Sequence, residues 1–188
     1  MKFKIFFSIV CLVFVSSIYN MDEKIRAESP EGLLFRGAIY GRIALVHDAL
    51  DRGVNINTVD DLKATALMYA VEKKREDIVT VLLQANADPN LRNIMKNTSL
   101  MIAVIQKHDA MVKLLLEANA DPYIEDCMGK TVLNIANDNN FNSIEIMLKK
   151  EVAKRRPLIR NKVIETTNLI PDVANIVAEY LYPQEKTN

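Results

Sequence analysis

The stretch T-A-L-M-Y-A at Thr65–Ala70 returns 33 residues later as T-S-L-M-I-A at Thr98–Ala103, and again after another 33 as T-V-L-N-I-A at Thr131–Ala136. A fixed period of this length describes a stacked array of small units, none of which buries its apolar face alone. Each of the first two copies is followed by a second apolar run: Ile78, Val79 and Val81–Leu83, then Met111, Val112 and Leu114–Leu116. Both runs lead into one turn, Ala85-Asn86-Ala87-Asp88-Pro89 and Ala118-Asn119-Ala120-Asp121-Pro122. The repeat predicts two short helices per unit, near Thr65–Lys73 and Asp77–Ala85, then near Thr98–Gln106 and Ala110–Ala118.

These residues resemble the ankyrin-repeat pattern, in which T-P-L-H-x-A opens a first helix, a second helix is rich in I-V-x-L-L-L, and G-A-D-P-N follows. The resemblance covers roughly residues 30–150. It implies an all-α solenoid of about four helix-turn-helix repeats, and as function the recognition of another protein without catalysis. Repeat units fall at 30–57, 58–90, 91–123 and 124–151. The first is degenerate, as terminal units with one uncovered face are expected to be. Ser29 and Pro30 suit the start of its first helix. Its second helix is expected near Ile43–Asp51, with Leu45, Val46, Ala49 and Leu50 facing inward.

Gly53, Asn86 and Asn119 share one register, where a helix ending in a left-handed residue needs Gly or Asn. This chain departs from the family at several places. Phe35, Met68, Met101 and Asn134 replace the family's His, which puts the usual hydrogen bonds there in doubt. Leu33, Ala66, Ser99 and Val132 replace its Pro. The turn Gly survives as Gly129, with Lys63 and Lys96 in its place elsewhere, so less regular fingers are expected.

With 24 basic and 24 acidic residues, no net field steers the chain toward nucleic acid or an anionic surface. The two cysteines, Cys11 and Cys127, leave no pair within the repeats for a disulfide framework. With two histidines, a His-rich metal site is not expected, and His108 reads as a structural residue of the turn between helices. No nucleophile elbow, phosphate-cradling glycine loop or H-E-x-x-H occurs, so neither catalytic residues, a cofactor nor a small-molecule substrate is expected.

Met1–Ser17 has the layout of a secretory signal: Lys2 and Lys4, an apolar core from Ile5 to Val15 interrupted by Ser8, then Ser16 and Ser17. Cleavage is expected after Ser17, with residues 18–29 a polar lead-in. The core falls short of the ~20 apolar residues of a helical span, so a retained membrane anchor is the alternative reading. Export would place the chain in a periplasm or outside the cell, meeting a membrane only in transit.

The repeats are expected to act as a monomer, through their finger tips and groove. Superposition by 33 residues aligns Leu62, Met95 and Met128; Asp61, Ile94 and Cys127; and Tyr69, Ile102 and Ile135. Leu62, Ile94, Met95 and Met128 are the candidate tip contacts with a protein partner, and Tyr69, Ile102 and Ile135 the candidate groove contacts. The competing expectation is that neighbouring fingers cover these residues.

Residues 152–188 read as a separate helical tail. Lys154-Arg155-Arg156 are expected to close the last repeat helix, Pro157 to break the chain, and a short helix to run from Leu158 to Glu165. After Pro171, Val173, Ile176, Val177, Tyr180 and Leu181 form one apolar stripe. That stripe suits a helix capping repeat four. It also resembles F-box-like carboxy-terminal segments of the PRANC type, which implies docking to ubiquitin-ligase machinery through Pro171, Ile176, Tyr180 and Leu181.

Overall fold

The computed structural model describes residues 28–167. The export signal and the stripe after Pro171 lie outside them. Among the described residues the regular structure is entirely helical: α1 Pro30–Tyr40, α2 Ile43–Asp51, α3 Ala66–Glu72, α4 Glu76–Gln84, α5 Ser99–Ile105, α6 Asp109–Glu117, α7 Val132–Asp138 and α8 Asn142–Thr167. They pair as α1/α2, α3/α4, α5/α6 and α7/α8. The first helices also stack on one another, α1 on α3 on α5 on α7. This is the solenoid expected from the 33-residue period.

Local chemistry sets the helix starts. Ser29, Thr65, Thr98 and Thr131 are extended residues whose side-chain oxygens accept from the backbone N–H three residues on, at Gly32, Met68, Met101 and Asn134. The cap survives the loss of the family's His. Asn134 Oδ1 accepts from Thr131 N at 3.0 Å, and Met101 Sδ accepts from Thr98 N at 3.5 Å.

The helix ends are equally regular. Gly53, Asn86 and Asn119 are left-handed, at φ 74°, 63° and 62°. The next residue's N–H then reaches back to the last turn: Val54 to Ala49 O, Ala87 to Leu82 O, Ala120 to Leu115 O. First helices end the same way at Gly41, Lys74, Lys107 and Asn140, with φ between 52° and 72°. Lysine carries no sequence signal for that conformation, so this second register was not foreseen.

One apolar seam runs through the stack. Leu34, Leu67 and Leu100 bury between first helices; Val46, Val79 and Val112 bury between second helices. Ala70, Ala103 and Ala136 are small and fully buried, and Gly37 holds their place in repeat one. A Cβ on Gly37 would come within 2.6 Å of Val46 Cγ2, so α1 and α2 approach more closely than Ala allows.

The carboxy-terminal end corrects the sequence reading. Helix α8 runs unbroken through Pro157, joining the last repeat helix and the expected Leu158–Glu165 helix into one element. Proline removes one intrahelical hydrogen bond and either kinks or breaks a helix, so tertiary support of the preceding turn can carry the helix through it. That turn is held by Arg155, which donates to Leu116 O at 2.8 Å and Ala120 O at 2.9 Å and pairs with Glu151. The basic run therefore does not close its own helix. Its Arg155 caps the carboxyl end of α6. The boundary placed at 151/152 falls inside α8, and no helix of the described residues is long and apolar enough to cross a membrane.

Candidate functional site

Each finger is a tight turn opened by a short polar side chain. Asp60 Oδ1 accepts from Leu62 N and Ala64 N, both at 2.9 Å. Asn93 Oδ1 accepts from Met95 N and Asn97 N, both at 3.0 Å. Asp126 Oδ1 accepts from Met128 N at 2.7 Å and Lys130 N at 2.9 Å. The left-handed residue of each turn is Lys63, Lys96 or Gly129. The fingers are thus more regular than their missing glycines implied, because one Asx side chain closes every turn from within.

Neighbouring fingers are joined through their backbones. Ile94 N donates to Leu62 O at 3.0 Å, and Cys127 N to Met95 O at 3.2 Å. At the other end of each loop, Asn57 Oδ1 accepts from Asp88 N and Asn90 Oδ1 from Asp121 N, at 2.9 and 2.7 Å. Most N–H groups of the fingers are thus bonded within the turn or to the neighbouring finger, whereas the tip side chains stay at least half exposed. Leu62, Ile94 and Met95 are 52–53% exposed and Met128 is 76% exposed. Neighbouring fingers do not cover them.

The expected groove residues behave differently. Ile135 is buried, at 7% exposure, and does not line an open groove. Tyr69 and Ile102 are half-buried. This position lies on the flank where stacked first helices meet. Tyr69 packs edge-on against Phe35, and its hydroxyl donates to Asp60 Oδ2 at 2.5 Å. That hydrogen bond, with burial added, pushes the Tyr69 hydroxyl up to about 12. Burial alone would raise the Asp60 carboxyl, but the Tyr69 hydroxyl and the N–H groups of Ala64 and Leu62 outweigh it and hold the carboxyl below its ordinary value. Tyr69 is a brace of the first finger.

The outward position is three residues further on, at Glu72, Ile105 and Asp138. Lys130 at the base of the last finger donates to Asp138 at 2.5 Å, which brings the finger against the end of α7. The equivalent pair one repeat earlier is Asn97 and Ile105, and Ile105 is 52% exposed. Tyr40, at the end of α1 in the register of Lys73 and Gln106, is also exposed. Ile105 and Tyr40 were missed because the signature ends before them. The signal available was an apolar residue at a helix's last turn in registers where other repeats place polar residues, Glu72 and Asp138 for Ile105, and Lys73, Gln106 and Asn139 for Tyr40.

His108 caps α6, its Nδ1 accepting from Met111 N at 3.4 Å, which is the structural place expected for it. Among the described residues no group of three or more His, Cys, Asp or Glu is arranged to hold a metal ion.

Comparison with protein-family models agrees with this geometry. The model for ankyrin repeats in three copies matches residues 20–93, and the model for ankyrin repeats in many copies matches residues 82–136. This chain belongs to the ankyrin-repeat family. Ankyrin arrays are scaffolds for protein–protein interaction. The ankyrin matches end before α8, whose extension beyond the ordinary second helix is particular to this end of the chain.

Proposed function

We propose that this ankyrin chain is an exported recognition module that holds one protein partner as a monomer, without turnover. The contact surface is the row Leu62, Ile94, Met95 and Met128, flanked by Ile105 on the inner helices. The observation that carries the reading is the contrast within each finger: a turn closed from within by one Asp or Asn side chain that presents a half-bare apolar side chain. A rigid support loses little entropy on binding. Burial of the exposed half of one such side chain contributes about 1 kcal/mol. A row of them at repeated spacing is what an interface core requires, and methionine adapts to a partner's contour.

Affinity capture with the full chain tests this. Ile94→Glu with Met95→Glu is expected to lose the captured protein, while Thr80→Glu on the second-helix side keeps it. Equal capture by both variants overturns the assignment. Export rests on the pattern of Met1–Ser17. Terminal sequencing of chain recovered outside the producing cell is expected to begin at or near Ile18, and an intact Met1 contradicts cleavage.

A further inference from the structure

The finger tips carry a second chemistry besides apolar contact. Met68, Met101 and Met111 are at most 2% exposed, the last two within the seam. Met95 and Met128 stand in one register of successive fingers, 53% and 76% exposed. Among the described residues they are the exposed thioethers, which a small oxidant reaches without any unfolding, while Met147 is partly buried. The backbone bond from Cys127 N to Met95 O keeps the two tips adjacent. In the first finger the same register holds Leu62, so the position accepts an apolar side chain without sulfur.

We propose that Met95 and Met128 form a paired, reversible oxidation site, with hydrogen peroxide or another peroxide as the oxidant. The Sδ lone pair attacks the outer peroxide oxygen. The O–O bond breaks, an S–O bond forms, and water or an alcohol leaves. The sulfur is oxidised by two electrons and the peroxide is reduced. A dithiol-dependent sulfoxide reductase reverses the step, taking the oxygen away as water and leaving a disulfide on the reductant. Each turn converts an apolar tip into a polar one while the seam stays intact. Its consequence for binding rests on the recognition reading above; the chemistry itself does not.

The experiment treats the reduced full chain with hydrogen peroxide and follows peptide masses, the thermal melt and partner capture. Sulfoxide is expected at Met95 and Met128 before any appears at Met68, Met101 or Met111, with the melt unchanged. Capture weakens about tenfold or more, and the two epimer-specific methionine sulfoxide reductases together, with dithiol, restore it. Met95→Leu with Met128→Leu captures equally before and after peroxide. Cys127→Ser, which removes the exposed thiol beside them, responds as the unaltered chain does. Oxidation of the buried methionines at the same rate, a melt that falls with oxidation, or peroxide loss in the Leu variant overturns the proposal. If the untreated chain captures nothing, the recognition reading fails, and the mass map still decides the oxidation site.

Discussion

At the scale of single residues, the array records where it departs from its own pattern. Ser99 stands at the first position of α5, fully buried, and its Oγ has no hydrogen-bond partner. The preceding Thr98 is extended, at φ −89° and ψ 168°, a conformation that proline accepts after it. Val132 fills the same position in repeat four, so the site has room for a ring. Ser99→Pro is therefore expected to stabilise by about 0.5–1 kcal/mol in urea melts. Lys74 holds φ 56° where repeat one has Gly41. Lys74→Gly relieves the left-handed strain and should also stabilise, by about 0.5–1 kcal/mol net of the glycine's added chain entropy. The Tyr69–Asp60 brace predicts a pH signature. Asp60 is held below its ordinary 3.8, so its contribution is present above that value and lost as pH falls through the lower folded value. Tyr69 is raised, so its contribution is present below the ordinary 10.0 and lost as pH rises toward about 12. Tyr69→Phe should make the melt less sensitive to pH at both ends.

Elements show how far the sequence is legible. Helices α3 to α7 were readable because Thr caps, the apolar period and the left-handed Asn residues all point to the same boundaries. Reading the seam was harder at its edges. Tyr69, Ile102 and Ile135 were expected to line a groove because they fill the open position before the last Ala of the repeat signature, yet the stack turns that face toward the neighbouring helix. Only the three-dimensional register shows that Glu72, Ile105 and Asp138 face outward. The long α8 was illegible for a different reason. Pro157 is a local stop signal, and what overrides it is the tertiary contact of Arg155 with carbonyls more than thirty residues earlier. Arg155→Ala should cost about 1.5–3 kcal/mol, since two buried-side carbonyls lose a charged donor. Arg155→Lys should not recover the loss, because a single ammonium cannot reproduce the fork that spans both. Urea melts of the two variants measure this directly.

For the molecule as a whole, stability and recognition are carried by different atoms. Stability comes from the continuous seam between units and from the backbone ladders that join the loops. Recognition, in the account proposed above, comes from half-exposed side chains at the tips that lie outside the seam and contribute little to either. The two are therefore separable by mutation, as is usual for surface substitutions away from caps and cores. The most direct measurement is the thermal and urea melt of the full chain carrying Leu62→Glu, Met95→Glu and Met128→Glu together. The account predicts stability within about 0.5 kcal/mol of the unaltered chain for each tip changed. A loss of several kcal/mol, of the size produced by core truncations, would show that the tips hold the stack together and would contradict it.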